Sequence, residues 1–329
     1  MSPVVTAAAH PELEPGLMAF RSGFVSIIGR PNAGKSTLLN KLVGEKLAIV
    51  TPKPQTTRNR ILGIVNVSAR QGYPAGQIVL IDTPGVHKPN SSLNKKMMRE
   101  VHEALEGRDA ILLMVDATQR FGGAVDRFTL ELVNKVGGPV FLLLNKIDRL
   151  EKSRLLPMIA EYSKLHDFGE ILPISAVTGD GLDLLLDRVM AALPEGPRYF
   201  PKDQITDQPE RFLAAEIVRE KVLLETAQEV PYASTVVVER WEETPRLTSI
   251  AAVIYCERNG QKKILIGRGG EMLKKIGTAA RHEIERILGT RVFLELFVKV
   301  RPGWRESWEF VEELDWRKQL EGLADQRRE

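Results

Sequence analysis

Residues 29–36 read Gly29-Arg30-Pro31-Asn32-Ala33-Gly34-Lys35-Ser36, a Gly-x4-Gly-Lys-Ser pattern. An apolar run, 24–28, precedes it, and a helix-like stretch, 35–43, follows. Few folds accept this order. The loop must turn at the carboxyl end of a strand so that its N–H groups surround an anion at a helix N-terminus. In such a loop Lys35 neutralises the outer phosphates of a nucleotide, and Ser36, followed by Thr37, faces Mg²⁺.

The rest of the first two-thirds agrees. Apolar runs at 24–28, 61–67, 78–81, 111–115, 140–144 and 171–174 alternate with amphipathic stretches such as 35–43, 125–136 and 182–193. Continuous apolar strands separated by helices predict an α/β fold with a mostly parallel sheet covered on both faces. Four prolines crowd residues 194–209, which marks a boundary. Beyond it the order is helix 210–228, strands 234–241 and 248–256, a helix, a Gly-rich turn, a second helix, and the strand 292–300, a small α+β unit. The predicted division is 1–20 extension, 21–197 first domain, 198–209 linker, 210–316 second domain and 317–329 a charged tail that frays.

A chain of 329 residues suits two domains. Its net charge of +3 says little about partners. A single cysteine, Cys256, excludes an intrachain disulfide framework and fits a reducing compartment. The five histidines are scattered, which argues against zinc. Residues 1–16 lack the basic start of a signal peptide, and no apolar run approaches a membrane span. The expected location is the cytoplasm.

Three further segments fall at strand ends. In Asp82-Thr83-Pro84-Gly85, the aspartate suits a Mg²⁺ water and the glycine N–H a γ-phosphate. In Asn145-Lys146-Ile147-Asp148, the Asp148 carboxylate matches the N1–H and 2-amino donors of guanine, a pair adenine lacks. Lys146 lies along the base, and Asn145 bonds the base or braces the phosphate loop. Ser175-Ala176 brings a backbone N–H toward the guanine O6. Between the first helix and second strand stand Thr56 and Thr57, of which Thr57 is the preferred ligand of Mg²⁺ and γ-phosphate. The expected ligands are GTP or GDP with Mg²⁺, the metal held by Ser36, Thr57 and Asp82. Lys35, Thr57, Gly85 and Asn32 are the expected catalytic set.

Together these segments resemble the five motifs of Era-type GTPases, as does Arg58-Asn59-Arg60-Ile61-Leu62-Gly63-Ile64. In the second domain Gly267-Arg268-Gly269-Gly270 is similar to the GxxG loop of a KH domain, and the element order resembles the type II form. Ile266, Gly267, Arg268, Gly269, Gly270, Lys274 and Lys275 are the expected RNA contacts. Ile264, Ile266 and Ile276 form either groove floor or core. Trp304 and Trp308 either stack on bases or, the better reading, pack against the domain.

The resemblance implies a monomeric GTPase that binds small-subunit ribosomal RNA near its 3′ end and assists assembly of the 30S subunit. It also implies peripheral membrane association, although the sequence shows no lipid anchor. The rival reading is a switch whose second domain binds a protein. Ras-like proteins carry a water-orienting glutamine after the Asp-x-x-Gly glycine. Here that residue is Val86, so slow hydrolysis is expected. Asn32 has two readings. It helps hold a potassium ion against the phosphates, as in related GTPases, or it braces the loop through local bonds to the backbone.

Overall fold

The computed structural model describes residues 19–70, 73–86, 90–119, 124–227 and 229–319. The first eighteen residues of the expected extension and the tail from 320 onward lie outside these. The chain runs β1 (Arg21–Gly29), α1 (Lys35–Val43), β2 (Ile61–Val67), β3 (Gly76–Asp82), α2 (Ser92–Leu105), β4 (Ala110–Asp116), α3 (Ala124–Val136), β5 (Val140–Asn145), α4 (Leu155–Tyr162), β6 (Glu170–Ile174) and α5 (Leu182–Ala192). The six strands form one sheet in the order β2-β3-β1-β4-β5-β6. Only β2 runs antiparallel to its neighbour.

The central strands are apolar because both faces are covered. β5 is buried along its whole length, as is β4 up to Asp116. α1 and α5 pack on one face and α2, α3 and α4 on the other, each with its own apolar cluster. β1 pairs with β3 on one side and β4 on the other. The strand order therefore reverses there, and a crevice opens beyond the carboxyl ends.

The second unit comprises α6 (Glu210–Glu225), β7 (Thr235–Thr244), β8 (Leu247–Cys256), α7 (Asn259–Ile266), α8 (Glu271–Leu288), β9 (Arg291–Val300) and α9 (Trp308–Glu313). β7 and β8 are antiparallel, β8 and β9 parallel. Residues of α6, α7 and α8 share one apolar cluster with the sheet. α6 stops at Glu225, short of the predicted 228, because Thr226 turns extended and its hydroxyl donates to the Val222 carbonyl.

The linker 198–209 lies along β2: Ile64 N–H donates to the Ile205 carbonyl, and Thr206 Oγ1 to the Leu62 carbonyl. Of the charged tail, Arg317 is held in place. It chelates Asp315 and pairs with Glu100 of α2, because both carboxylates are buried and need a cation. Leu93 and Met97 of α2 meet Trp304, Phe310 and Val311 in a small interdomain core.

Candidate functional site

The phosphate-loop sequence occupies the turn from β1 to α1. Gly34 sits at φ 105°, and a Cβ there would fall 2.2 Å from the Asn145 amide nitrogen, so only glycine fits. Lys35 is buried, and its Nζ donates to the carbonyls of Gly29 at 3.2 Å and Arg30 at 3.0 Å. Burial lowers its pKa to about 8, against the pull of Asp82. A buried ammonium of this kind is poised for an anion. The Arg30 side chain points away and pairs with Asp126 of α3, Nη2 to Oδ2 at 2.5 Å. Ala33 and Pro84 are buried, and Thr83 donates to the Ile27 carbonyl at 2.8 Å. Gly85 lies against Pro31, where a Cβ would approach to 2.7 Å.

Beyond the loop lies a cavity of about 550 Å³, lined by Gly34, Lys35, Ser36, Thr37, Thr57 and Gly85 at one end and by Asp116, Lys146 and Arg149 at the other. Three oxygens converge at the phosphate end. Ser36 Oγ donates to Asp82 Oδ2 at 2.6 Å and lies 2.8 Å from Thr57 Oγ1. Thr57 Oγ1 is 3.5 Å from the same carboxylate oxygen. Asp82 Oδ1 is buried without a hydrogen-bond partner among the described residues. Burial pushes the Asp82 carboxyl up to about 6, opposed by Lys35. Two hydroxyls and a carboxylate with an unused buried oxygen suit a hard cation such as Mg²⁺. The Thr56 hydroxyl is turned elsewhere, 2.7 Å from Thr51 Oγ1 and donating to the Lys53 carbonyl at 2.6 Å.

At the other end Asn145 ties three segments together. Its amide donates to the Ala33 carbonyl at 2.7 Å, and its side-chain oxygen accepts from Ala176 N–H at 3.0 Å. Of its two expected roles, the structure therefore has it bracing the loop. Ser175 Oγ donates to Asp148 Oδ1 at 2.7 Å. Lys146, at φ 71°, extends to Asp116 with Nζ 2.6 Å from Oδ2. Sequence reasoning missed Asp116. The one local signal was its place directly after the apolar run 111–115; its pairing in register with Asn145 is visible only in the sheet. Asn32, at φ 62°, donates to the Pro52 carbonyl at 2.9 Å, a bond to a neighbouring loop rather than within its own.

In the second domain, Gly267 and Gly269 both take positive φ, 75° and 61°. A Cβ on Gly267 would strike Met272 at 2.7 Å, whereas Gly269 faces open space. Ile276 is fully buried and belongs to the core, Ile266 is half-buried and Ile264 is exposed. Trp304 is buried and donates from Nε1 to the Ala233 carbonyl, and Trp308 is capped by Arg99. The basic residues of this region divide into two groups. Arg281, Lys299 and Arg305 are engaged by Glu285, Glu239 and Glu257. Lys262, Lys263, Arg268 and Lys274, around the glycine turn, form no ion pair among the described residues, while Lys275 pairs with Glu225. Arg291 at the start of β9 and Arg301 just after its end likewise form none, so four of the unneutralised cations of this region flank the turn.

Two family models match: "50S ribosome-binding GTPase" over residues 24–146 and "KH domain" over 229–305. The chain is 53% identical over 299 residues to GTPase Era of Geobacter metallireducens, covering 90% of this chain and 98% of that protein. It is 46% identical over 297 residues to GTPase Era of Staphylococcus haemolyticus, covering 90% and 97%. A crystal structure of Era in complex with MgGDPNP and nucleotides 1506-1542 of 16S ribosomal RNA superposes with TM-score 0.86 at 41% identity, covering 90% of this chain and 99% of that one. A variant of Aquifex aeolicus Era bound to GDP.AlF4- superposes with TM-score 0.85, also at 41% identity. With a phosphate loop at the crevice of a doubly wound sheet, a GxxG turn in the domain behind it, and identity sustained across both, the chain belongs to the Era family of GTPases.

Proposed function

We propose that this GTPase binds Mg²⁺ with GTP or GDP in the crevice of residues 21–197 and single-stranded ribosomal RNA at the glycine turn of residues 210–316. The observation that carries the nucleotide half is the convergence of Ser36, Thr57 and Asp82 beside buried Lys35. In this reading Ser36 and Thr57 are metal ligands and Asp82 holds a metal-bound water. When bound, the metal neutralises charge on the phosphates. Loop N–H groups from Gly29 to Thr37, with Lys35, hold the phosphates, and the Gly85 N–H reads the γ-phosphate. Asp148 selects guanine, Ser175 orients Asp148, and the O6 shares the Ala176 N–H with Asn145.

Val86 is buried and its side chain has no polar atom to orient water. Unaided turnover is therefore slow, on the order of the ~10⁻⁴ s⁻¹ of unassisted Ras. Asn32 supplies what is missing by helping to hold a potassium ion against the phosphates. Its side-chain oxygen accepts no hydrogen bond among the described residues, and it lines the cavity.

The RNA is the 3′ end of the small-subunit ribosomal RNA, and the role is in 30S assembly. This rests on the Era–16S complex, which matches both domains, and on the unpaired basic group at the turn. The reading extends to a cytoplasmic monomer with peripheral attachment to the inner face of the cell membrane, which rests on family resemblance. No helix among the described residues is long and apolar enough to cross a membrane. The experiment is titration of the full chain with GTP, ATP and GDP, with and without Mg²⁺, and with a 16S 3′-end oligonucleotide against a scrambled one. Equal affinity for GTP and ATP overturns the first half; equal affinity for the two oligonucleotides overturns the second.

A further inference from the structure

Residues 46–58, within the connection from α1 to β2, carry Thr56 and Thr57, yet they are fastened largely to the C-terminal domain. Lys53 Nζ donates to the carbonyls of Leu223 and Thr226 at the end of α6. Val50 N–H donates to Glu220 Oε1 at 3.0 Å. Arg58 donates to the Ser234 carbonyl at 2.8 Å and lies over Trp304. The tie nearest the chemistry comes from Arg219 of α6, whose Nη2 donates to the Thr56 carbonyl.

That carbonyl and the Thr57 N–H share one peptide plane. Arg219 is 2% exposed and cannot wander. Glu216 grips it from one side, accepting from Nε at 2.7 Å and from Nη2 at 2.5 Å. A guanidinium held by a carboxylate in this bidentate way is a rigid fork, and a carbonyl bonded to it is fixed in place. The Thr57 hydroxyl, one residue on, stands 2.8 Å from Ser36 Oγ.

We propose that Arg219, oriented by Glu216, is a positioning residue that the C-terminal domain supplies to the GTP-bound state, fixing the Thr56–Thr57 peptide so that Thr57 reaches the metal. This rests on the assignment of Thr57 under Proposed function. GDP has no γ-phosphate for Thr57 to serve, so loss of the fork weakens binding of a GTP analogue and spares GDP. A charge-assisted hydrogen bond corresponds to about ten- to a hundredfold in affinity.

The test measures binding of a non-hydrolysable GTP analogue and of GDP, both with Mg²⁺, to the full chain and its variants. Thr57→Ala reports on the underlying assignment. The pair Glu216→Leu with Arg219→Met removes both charges together, leaving no orphan ion. The expected result is analogue affinity lowered about ten- to a hundredfold, with GDP affinity within about twofold of wild type. Arg219→Lys retains a cation for Glu216, but a single ammonium lacks the fork, so it too loses selectivity; it serves if the double variant does not fold. If Thr57→Ala loses analogue affinity while Arg219→Lys and the folded double variant keep it, the positioning role is overturned and the Thr57 assignment stands. If Thr57→Ala keeps full analogue affinity, the assignment falls and the positioning role with it.

Discussion

The Asn145 side chain bridges the phosphate loop and the final loop of the nucleotide domain, donating to the Ala33 carbonyl at 2.7 Å and accepting from Ala176 N–H at 3.0 Å. One buried amide thus sets the spacing between the two ends of the crevice. Asn145→Ala leaves a buried carbonyl and a buried N–H unpaired, at about 1–3 kcal/mol for each. The expected outcome is a lower melting temperature and weaker binding of GTP and GDP alike, measured by thermal unfolding with and without nucleotide.

Asp148 is held by Ser175 through one oxygen. Asp148→Asn replaces a carboxylate acceptor with a group that is half donor. GTP affinity is expected to fall by at least about tenfold, and xanthosine triphosphate, whose 2-oxo group faces the new donor, to lose far less. Competition binding with the two nucleotides measures this, and equal losses would remove Asp148 from the base site.

Asn32 donates to Pro52 in the loop that precedes Thr56 and Thr57. If its oxygen helps hold a monovalent cation, hydrolysis runs faster in potassium than in sodium at equal ionic strength, and Asn32→Ala removes the difference while GTP binding persists. Rates measured in both salts, with and without RNA, decide between a cation role and a bracing role. Identical rates throughout leave bracing as its function.

At the glycine turn the two glycines call for different treatment. Gly267→Asp would drive its Cβ into Met272 and disturb α8 itself, whereas Gly269→Asp places charge and bulk in open space. Gly269→Asp is the cleaner probe. Weaker binding to the single-stranded 16S oligonucleotide is expected, with unchanged GTP affinity and a melting temperature lowered only by the cost of an aspartate at φ 61°, about 1 kcal/mol. Wild-type RNA affinity in the folded variant would sink the turn as the binding site.

Asp315 accepts from Arg317 and faces Lys96 of α2, and these cations hold its carboxyl below the ordinary value. A carboxyl depressed in the folded state contributes stability above its unfolded value, near 3.8, and loses that contribution as pH falls through its folded value. Asp315→Asn removes the ion-pair partner of buried Lys96, which keeps Glu100, Glu312 and the Val311 carbonyl, and is expected to cost about 1–3 kcal/mol at pH 7. The gap between variant and wild type closes as the pH drops below about 4. Urea melts at several pH values would show both.

The nucleotide end of the fold was legible because phosphate binding needs glycines and a lysine at fixed local spacing. The KH-like order was legible for the same reason, since the turn and its flanking helices are contiguous. What escaped was nonlocal. Asp116 meets Lys146 through strand register, and Arg219 meets Thr56 across 163 positions of chain. On its own helix Arg219 beside Glu216 reads as an i,i+3 pair in solvent, and only packing shows that it is buried. The end of the chain misled likewise. Charged residues beyond Trp316 suggest fraying until Glu100 and Asp315 supply buried partners for Arg317.

The segment joining the domains also does something for the sheet. β2 is the outermost strand of six, and such an edge offers free N–H and C=O groups to any passing chain. Here Ile205 receives the N–H of Ile64, Thr206 caps the carbonyl of Leu62, and the Asn66 amide donates to the carbonyl of Lys202. Gln77, buried on β3, accepts from the N–H groups of Tyr199 and Phe200 and so pins the start of this cover. The connector is therefore a guard against edge-to-edge association. A version of the first domain cut at residue 197 would carry its own β2 unprotected, and self-association would be the price of separating the halves.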